Sequence, residues 1–166
     1  MTDVLVAFGS KRGGTAEIAR WIGDELTERG VNARVRPAGG VRDLRGCDAV
    51  VLGGALYANR WHRDARRFAR RFRAELRDRP VWLFSSGPLD EAVEKTQPRV
   101  PPSVERIAAR TNARDHVTFG GRIAPDARGF VASRIARSRS GDFRDRERIR
   151  AWAQSIADDL AKDPPA

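Results

Sequence analysis

Short apolar runs alternate along the chain with longer segments of helical periodicity. Continuous apolar runs predict strands buried on both faces, and a run that alternates apolar with charged residues predicts an edge strand. The four buried runs are 4–9, 48–54, 80–84 and 117–121, and the alternating run is 31–36. Apolar residues at helical spacing lie between and after these runs: Ile18, Ile22 and Leu26; Trp61, Phe68, Phe72 and Leu76; Ile149, Trp152, Ile156 and Leu160.

Strands that alternate with helices at this rhythm predict an α/β fold. The edge-like second strand and the right-handed crossover rule favour a three-layer αβα sandwich whose five-stranded parallel sheet has the order 2-1-3-4-5. In that order the turns after strands one, three and four meet at one cleft. This edge of an open parallel sheet is where ligands bind.

The length is that of one domain, predicted over 1–162, with a tail at 163–166 that we expect to be disordered. Residues 89–114 form an excursion between strands four and five and include a short helical piece over 104–109. Residues 125–141 are basic and partly apolar, which predicts a surface helix for an anionic membrane or a partner.

The chain has a formal net charge of +10, with 29 Arg and three Lys. The arginine excess is typical of a GC-rich genome, and we prefer this explanation to nucleic-acid binding because no finger, helix-turn-helix or aromatic RNA-binding motif is present. The lone Cys47 predicts a small buried hydrophobe in a reducing cytoplasm, with no metal site. We expect neither a signal peptide nor a membrane span.

The turn after the first strand carries the main candidate chemistry. Residues 10–15 supply hydroxyls, exposed backbone N–H groups and adjacent glycines at the positive end of a helix, which is a site for a phosphate. The nucleoside-triphosphate loop is excluded because Lys11 precedes the glycines. The dinucleotide fingerprint is excluded because the second strand ends in Arg34 and Arg36, where that motif needs an acidic residue.

The pattern Ser-x-x-Gly-x-Thr at Ser10, Gly13 and Thr15 resembles the FMN phosphate loop of flavodoxins. The chain resembles the flavodoxin superfamily over nearly its whole length, and more narrowly flavodoxin-domain proteins similar to the menaquinone-dependent protoporphyrinogen oxidase. The resemblance also rests on these residues: 50–54 followed by Trp61 and His62; Ser85 and Ser86; Glu94, Lys95, Thr96 and Pro98; Gly120, Gly121 and Arg122. The excursion and the C-terminal segment are what point to the narrower group.

The resemblance implies roles for three groups of residues. The FMN phosphate would be held by Ser10, Lys11, Arg12, Gly13, Gly14 and Thr15. One side of the isoalloxazine would be lined by Gly54, Ala55, Leu56, Tyr57, Ala58, Asn59 and Trp61, and the other by Ser85, Ser86, Gly87, Pro88 and Leu89. Asn59 stands where related sequences have glycine, and it tolerates the positive φ of such a turn. No catalytic acid or base is identified, and His62 is expected to be structural.

The implied function is an FMN-dependent oxidoreductase of the cytoplasm, with a peripheral position at the inner face of the membrane as the alternative location. Its redox partner would be a quinone, a ferredoxin or a reductase, and a porphyrinogen would be the substrate. Two alternatives stay open: a non-enzymatic FMN electron carrier, and a cofactor-free binding module. A response-regulator receiver is excluded because Gly53 and Gly54 occupy the strand end where its phosphorylated Asp belongs.

Overall fold

A five-stranded parallel sheet forms the centre of the protein. We describe it from a computed structural model over residues 1–11, 13–87, 100–120, 122–123, 141–142 and 145–165. The strands are β1 (Asp3–Gly9), β2 (Asn32–Pro37), β3 (Ala49–Tyr57), β5 (Val81–Gly87) and β6 (Asp115–Gly120). They lie in the order β2-β1-β3-β5-β6, which confirms the predicted order 2-1-3-4-5.

Two short pairings add to this sheet. Strand β4 (Arg60–Trp61) pairs antiparallel with the end of β3, with Leu56 opposite Trp61. Strands β7 (Arg122–Ile123) and β8 (Gly141–Asp142) form a separate antiparallel pair. The predicted surface helix over 125–141 lies outside the described residues apart from Gly141, and the predicted excursion over 89–114 is described only from residue 100.

Helices cover both faces of the sheet. They are α1 (Gly14–Glu28), α2 (Arg63–Arg71), α3 (Arg73–Arg77), α4 (Pro102–Thr111) and α5 (Arg146–Lys162). One core layer joins α1 and α5 to the strand residues Val4, Val6, Val51, Phe84 and Phe119. The other joins α2, α3 and α4 to Leu5, Ala7, Val50, Leu52 and Leu83. None of the helices in the described ranges is long and apolar enough to cross a membrane.

The first half of the sheet follows the sequence pattern closely. Ile18, Ile22 and Leu26 are fully buried on one face of α1. Gly30 has φ +84° and follows the end of the helix, where the left-handed conformation favours glycine. Strand β2 alternates exposed and half-buried residues, as an edge strand with one solvated face should. Cys47 is 8% exposed and packs in the second core layer, which confirms that it acts as a buried hydrophobe.

The segment 55–76 differs from the prediction. The helical pattern that runs from Trp61 to Leu76 is in fact β4 followed by two helices that are divided at Phe72. The first of these helices starts after His62, whose Nδ1 accepts a hydrogen bond of 3.2 Å from the Asp64 amide. His62 is therefore the N-cap of α2, in agreement with its expected structural role.

A buried carboxylate links the two helices of the first layer. Glu25 on α1 is 4% exposed. It accepts hydrogen bonds from Gln154 Nε2 at 2.9 Å, from Arg150 Nε at 3.1 Å and from Arg29 Nε at 3.2 Å. The hydrogen bond from Gln154, followed by those from the two arginines, outweighs desolvation and lowers the pKa of Glu25. Glu25 is therefore a charged tie between α1 and α5.

We expect Glu25→Gln to destabilise the protein by about 1–3 kcal/mol, because two guanidinium groups lose their carboxylate at a buried position. The measurement is urea unfolding at pH 7. Glu147→Gln is the matched control, since Glu147 also faces Arg150 but its side chain is 84% exposed, and its effect should stay below about 0.5 kcal/mol. Equal effects of the two substitutions would contradict this role of Glu25.

Candidate functional site

The turn between β1 and α1 leaves the N-terminus of α1 without a side-chain cap. Gly13 has φ +80°, and the helix starts at Gly14. A Cβ added to Gly13 would meet nothing within 4 Å, so the space beside the loop is open. Uncapped N–H groups at a helix N-terminus form an anion site, and this geometry agrees with the predicted phosphate loop. Arg12 lies outside the described residues.

A pair of buried hydroxyls lies beneath this loop. Thr15 Oγ1 and Ser86 Oγ are 2.6 Å apart, and the two residues are 1% and 5% exposed. Ser86 was expected in a turn, but β5 continues through Ser85, Ser86 and Gly87. Because the pair shares one hydrogen bond, one of its two O–H groups keeps a donor for a further acceptor. The structure therefore brings the start of α1 and the end of the fourth predicted parallel strand together at the loop.

The predicted loop over residues 55–62 is a β-hairpin. Its turn residues Ala58 and Asn59 have φ +48° and +63°, and positive φ at both positions is typical of the tight type I′ turn. The positive φ expected at Asn59 is confirmed. Asn59 O also accepts a hydrogen bond of 3.0 Å from Ser103 Oγ, which ties the turn to α4.

Tyr57 bridges the hairpin and the phosphate loop. Its side-chain oxygen accepts a hydrogen bond of 3.1 Å from the Lys11 amide, and Lys11 Nζ lies 5.5 Å from the centre of its ring. The ring also makes an edge contact with His62, at 6.1 Å between centroids. Tyr57 is 36% exposed. Tyr57 is thus the aromatic residue of the hairpin that can face a ligand.

Trp61 lies beneath the hairpin and is 1% exposed. A Cβ on Gly54 would come within 2.5 Å of Trp61 Cγ, so the indole packs directly on the backbone of β3. Its Nε1 donates a hydrogen bond of 2.7 Å to Ser85 Oγ. Trp61 was predicted to line one side of the isoalloxazine, whereas its side chain is buried in this structure. The residue supports the hairpin from below.

Two other predicted contacts of the hairpin are also covered. Ala55 is 8% exposed, and Leu56 is partly buried against the second core layer. Gly54 is buried within β3, so its expected role is limited to backbone groups at the strand end. Pro88 and Leu89, the remaining predicted residues of the opposite wall, lie outside the described residues.

His116 is a polar residue of this region that the sequence did not single out. Its Nε2 lies 2.8 Å from Ser85 Oγ. Burial lowers the pKa of His116 to about 4, against the opposing charge of Asp115, so the ring is neutral at pH 7. The indole N–H of Trp61 can only donate, so Ser85 accepts from it, and the tautomer of the imidazole decides which partner donates between Ser85 and His116. The alternation of polar and apolar residues in β6 is the sequence signal that could have identified His116 as a polar residue facing this site.

The site lies where β1, β3 and β5 end, at the carboxyl edge of an open parallel sheet. Its donors are a helix N-terminus, buried hydroxyls and an amide held by a tyrosine. Together they define an α/β protein that binds a phosphorylated ligand at this edge.

The comparisons agree with this class. A family model described as the flavodoxin domain matches residues 5–137, and the chain belongs to this family. FMN is the cofactor that this family assignment implies. The loop fits the phosphate of FMN, because its helix N-terminus is uncapped and the space beside Gly13 is open. No curated protein matches the chain.

Solved structures show the same fold at low sequence identity. A cysteine-to-serine variant of flavodoxin from Pseudomonas aeruginosa is 14% identical, with 96% of this chain and 99% of that chain covered and a TM-score of 0.65. A flavodoxin from the domain Archaea is 12% identical, with the same coverage and a TM-score of 0.66. The rubredoxin oxygen:oxidoreductase of Desulfovibrio gigas is 11% identical over 98% of this chain and 37% of that chain, with a TM-score of 0.65.

Tyr57→Phe should tighten FMN binding by about two- to tenfold. A phosphate that takes the Lys11 amide must displace the Tyr57 oxygen, and the substitution removes that competing hydrogen bond, worth about 0.5–1.5 kcal/mol. Calorimetric titration of the apoprotein gives the affinity. Riboflavin, which lacks the phosphate, is the control and should bind both proteins equally. Weaker FMN binding with unchanged riboflavin binding would instead make the hydroxyl a phosphate ligand.

The low pKa of His116 predicts a loss of stability in mild acid. The unfolded residue takes a proton near its ordinary pKa of 6.5, whereas the folded one does so near 4. Stability should therefore fall as the pH drops from about 6.5 to about 4, by on the order of 1–3 kcal/mol, and the effect should end below that range.

Urea unfolding of the wild type and of His116→Gln between pH 7.5 and 4.5 measures this contribution. Carboxylates titrate in both proteins, so only the difference between the two curves reports on His116. The difference should shrink steadily as the pH falls. Parallel curves would show that the ring does not titrate with folding.

Proposed function

We propose that the protein is an FMN-dependent oxidoreductase. The observation that carries the proposal is the uncapped N-terminus of α1, with Gly13 in the left-handed conformation, at the sheet edge where Tyr57 and Ser86 converge. The flavodoxin-domain match supports the cofactor. Bound there, FMN supplies the exchange of electrons with a donor and an acceptor.

The residues of the chain have separate tasks in this proposal. The amides over residues 13–15, with Ser10 and Lys11, bind the phosphate. Tyr57 orients the ring system from the hairpin, and Trp61 fixes the hairpin through Ser85. Proton transfer by His62 is disfavoured because its Nδ1 already accepts the Asp64 amide.

The narrower proposal is a quinone-linked oxidase of the protoporphyrinogen type, acting in the cytoplasm or at the inner face of the membrane. It is supported by the sequence resemblance over Glu94–Pro98 and Gly120–Arg122. In this reaction the hydrogens removed from the porphyrinogen reappear on the quinone as quinol, so both substrates must reach the flavin. A quinone acceptor is therefore part of the proposal.

A non-enzymatic electron carrier is the second candidate. It is favoured by the end-to-end agreement with flavodoxin structures, since the matched regions include 96% of this chain and 99% of each flavodoxin chain. A carrier would bind FMN and exchange electrons with protein partners, without turning over a porphyrinogen.

The first experiment is to purify the protein without added flavin, record its visible spectrum and identify any released chromophore. Stoichiometric FMN supports the proposal, and a colourless protein that refuses added FMN contradicts it. The yellow protein is then mixed with protoporphyrinogen and the soluble quinone menadione, and porphyrin fluorescence is followed. Quinone-dependent turnover supports the oxidase, whereas bound FMN without turnover supports the carrier.

A matched pair of glycine variants tests the phosphate loop. Gly13→Ala should weaken FMN binding by about five- to thirtyfold, because the free loop of the variant leaves the left-handed conformation and restoring it for the ligand costs an alanine about 1–2 kcal/mol. Gly40→Ala is the control, since its Cβ would also point into open space but its φ is not positive. Equal affinities of the two variants would contradict the role of the loop.

A further inference from the structure

A cluster of arginines, all exposed except the half-buried Arg66, lies beside the candidate cofactor site on the hairpin and on α2, α3 and α4. We call it the arginine surface, and its members are Arg60, Arg63, Arg66, Arg70, Arg73, Arg106 and Arg110. Arg60 and Arg66 line two neighbouring hollows. The first hollow, of about 500 Å³, is also lined by Lys11, Tyr57 and Arg63. The second, of about 200 Å³, is lined by Arg70, Arg73, Arg106 and Arg110. The surface therefore begins at the candidate site and continues away from it.

The described part of the chain provides no ion pair for these arginines. None of its carboxylates pairs with any of the seven, and only the guanidinium of Arg66 makes a hydrogen bond, from Nε to Trp61 O at 3.0 Å. Elsewhere in the protein, arginines pair with acids, as Arg150 and Arg29 do with Glu25. The only acid that lines either hollow is Asp64.

Apolar residues provide the packing of the helix that carries the largest share of this charge. Helix α2 packs through Ala65, Phe68 and Ala69, so the guanidinium groups are not needed to cover its apolar side. Arg63 begins α2, where the helix dipole is positive and a cation is unfavourable. Like charges held close together repel one another, so a ligand that supplies negative charge would relieve the repulsion.

The chemistry of the surface favours carboxylates on a protein. Guanidinium groups bind carboxylates in a bidentate manner and are weakly hydrated, which suits a protein interface. A membrane is disfavoured, because the only exposed large hydrophobic residues in the described ranges are Met1 and Tyr57. A nucleic acid is disfavoured because the sequence carries no finger, helix-turn-helix or aromatic RNA-binding motif, whereas an electron-transfer partner must approach the flavin.

We propose that the arginine surface docks an acidic electron-transfer protein and so places it beside the flavin. This proposal rests on the proposed function for its electron-transfer role. The docking itself depends only on the charges of α2, α3, α4 and the hairpin. Opposite charges on the two partners would speed their encounter and fix their orientation.

Calorimetric titration with a plant-type [2Fe–2S] ferredoxin, an acidic protein, tests the docking at low ionic strength. The triple variant Arg70→Gln, Arg73→Gln and Arg106→Gln removes three charges of the surface. The control variant Arg20→Gln, Arg36→Gln and Arg42→Gln removes three exposed charges elsewhere. None of the six residues belongs to the candidate cofactor site. Both variants should therefore keep the FMN affinity of the wild type.

We expect the surface variant to bind ferredoxin at least about tenfold more weakly and the control at most about threefold more weakly. Wild-type binding should also weaken as salt rises from about 20 to 200 mM. The proposal is overturned if ferredoxin does not bind at low salt, or if both variants lose affinity equally. It is also overturned if phosphatidylserine vesicles or duplex DNA bind more tightly than ferredoxin.

The titration is done with both the apoprotein and the FMN-loaded protein, so that the two proposals fail separately. If the protein binds ferredoxin through these arginines but takes up no FMN, the docking proposal stands and the proposed redox function fails. If the protein binds FMN but the two variants bind ferredoxin equally well, the proposed redox function stands and the docking proposal fails.

Discussion

Two glycines in the central strand allow aromatic rings to pack against both of its faces. A Cβ on Gly53 would lie 2.0 Å from Phe84 Cζ, and one on Gly54 would lie 2.5 Å from Trp61 Cγ. Phe84 belongs to the core layer of α1 and α5, and Trp61 to the layer of α2 and α4. Because no other residue leaves this space, the position of Trp61 depends on Gly54. The hairpin over Trp61, and with it Tyr57, depends on the same space.

Sequence patterns predicted the parts of the fold in which each element is decided by its own residues. The strand order, the apolar face of α1 and the left-handed Asn59 follow from periodicity and from the φ preferences of single residues. Trp61 was misplaced because its spacing to Phe68 is compatible with a helix, whereas its actual position depends on pairing with Leu56. That pairing is a tertiary event, which helical periodicity does not encode.

The polar contacts of the site were less predictable for a related reason. Ser85 and Ser86 look like turn residues in the sequence, yet they are neighbours in one strand and point to opposite layers. Ser86 contacts Thr15, which is 71 positions earlier, and Ser85 contacts His116, which is 31 positions later. The residue types alone indicate the chemistry of the loop. The hydrogen-bond partners of the two serines can be identified only when the register of the sheet is known.

The edge of the sheet has a consequence for how molecules of this protein meet each other. Strand β2 pairs with β1 on one side only, so its other side offers unpaired backbone groups to any strand nearby. Arg34 and Arg36 are exposed along it, and it ends at Pro37, which has no N–H to donate. Repulsion between such arginines and the missing donor oppose the addition of a second copy. The same residues that exclude a dinucleotide motif thus protect the sheet from edge-to-edge aggregation.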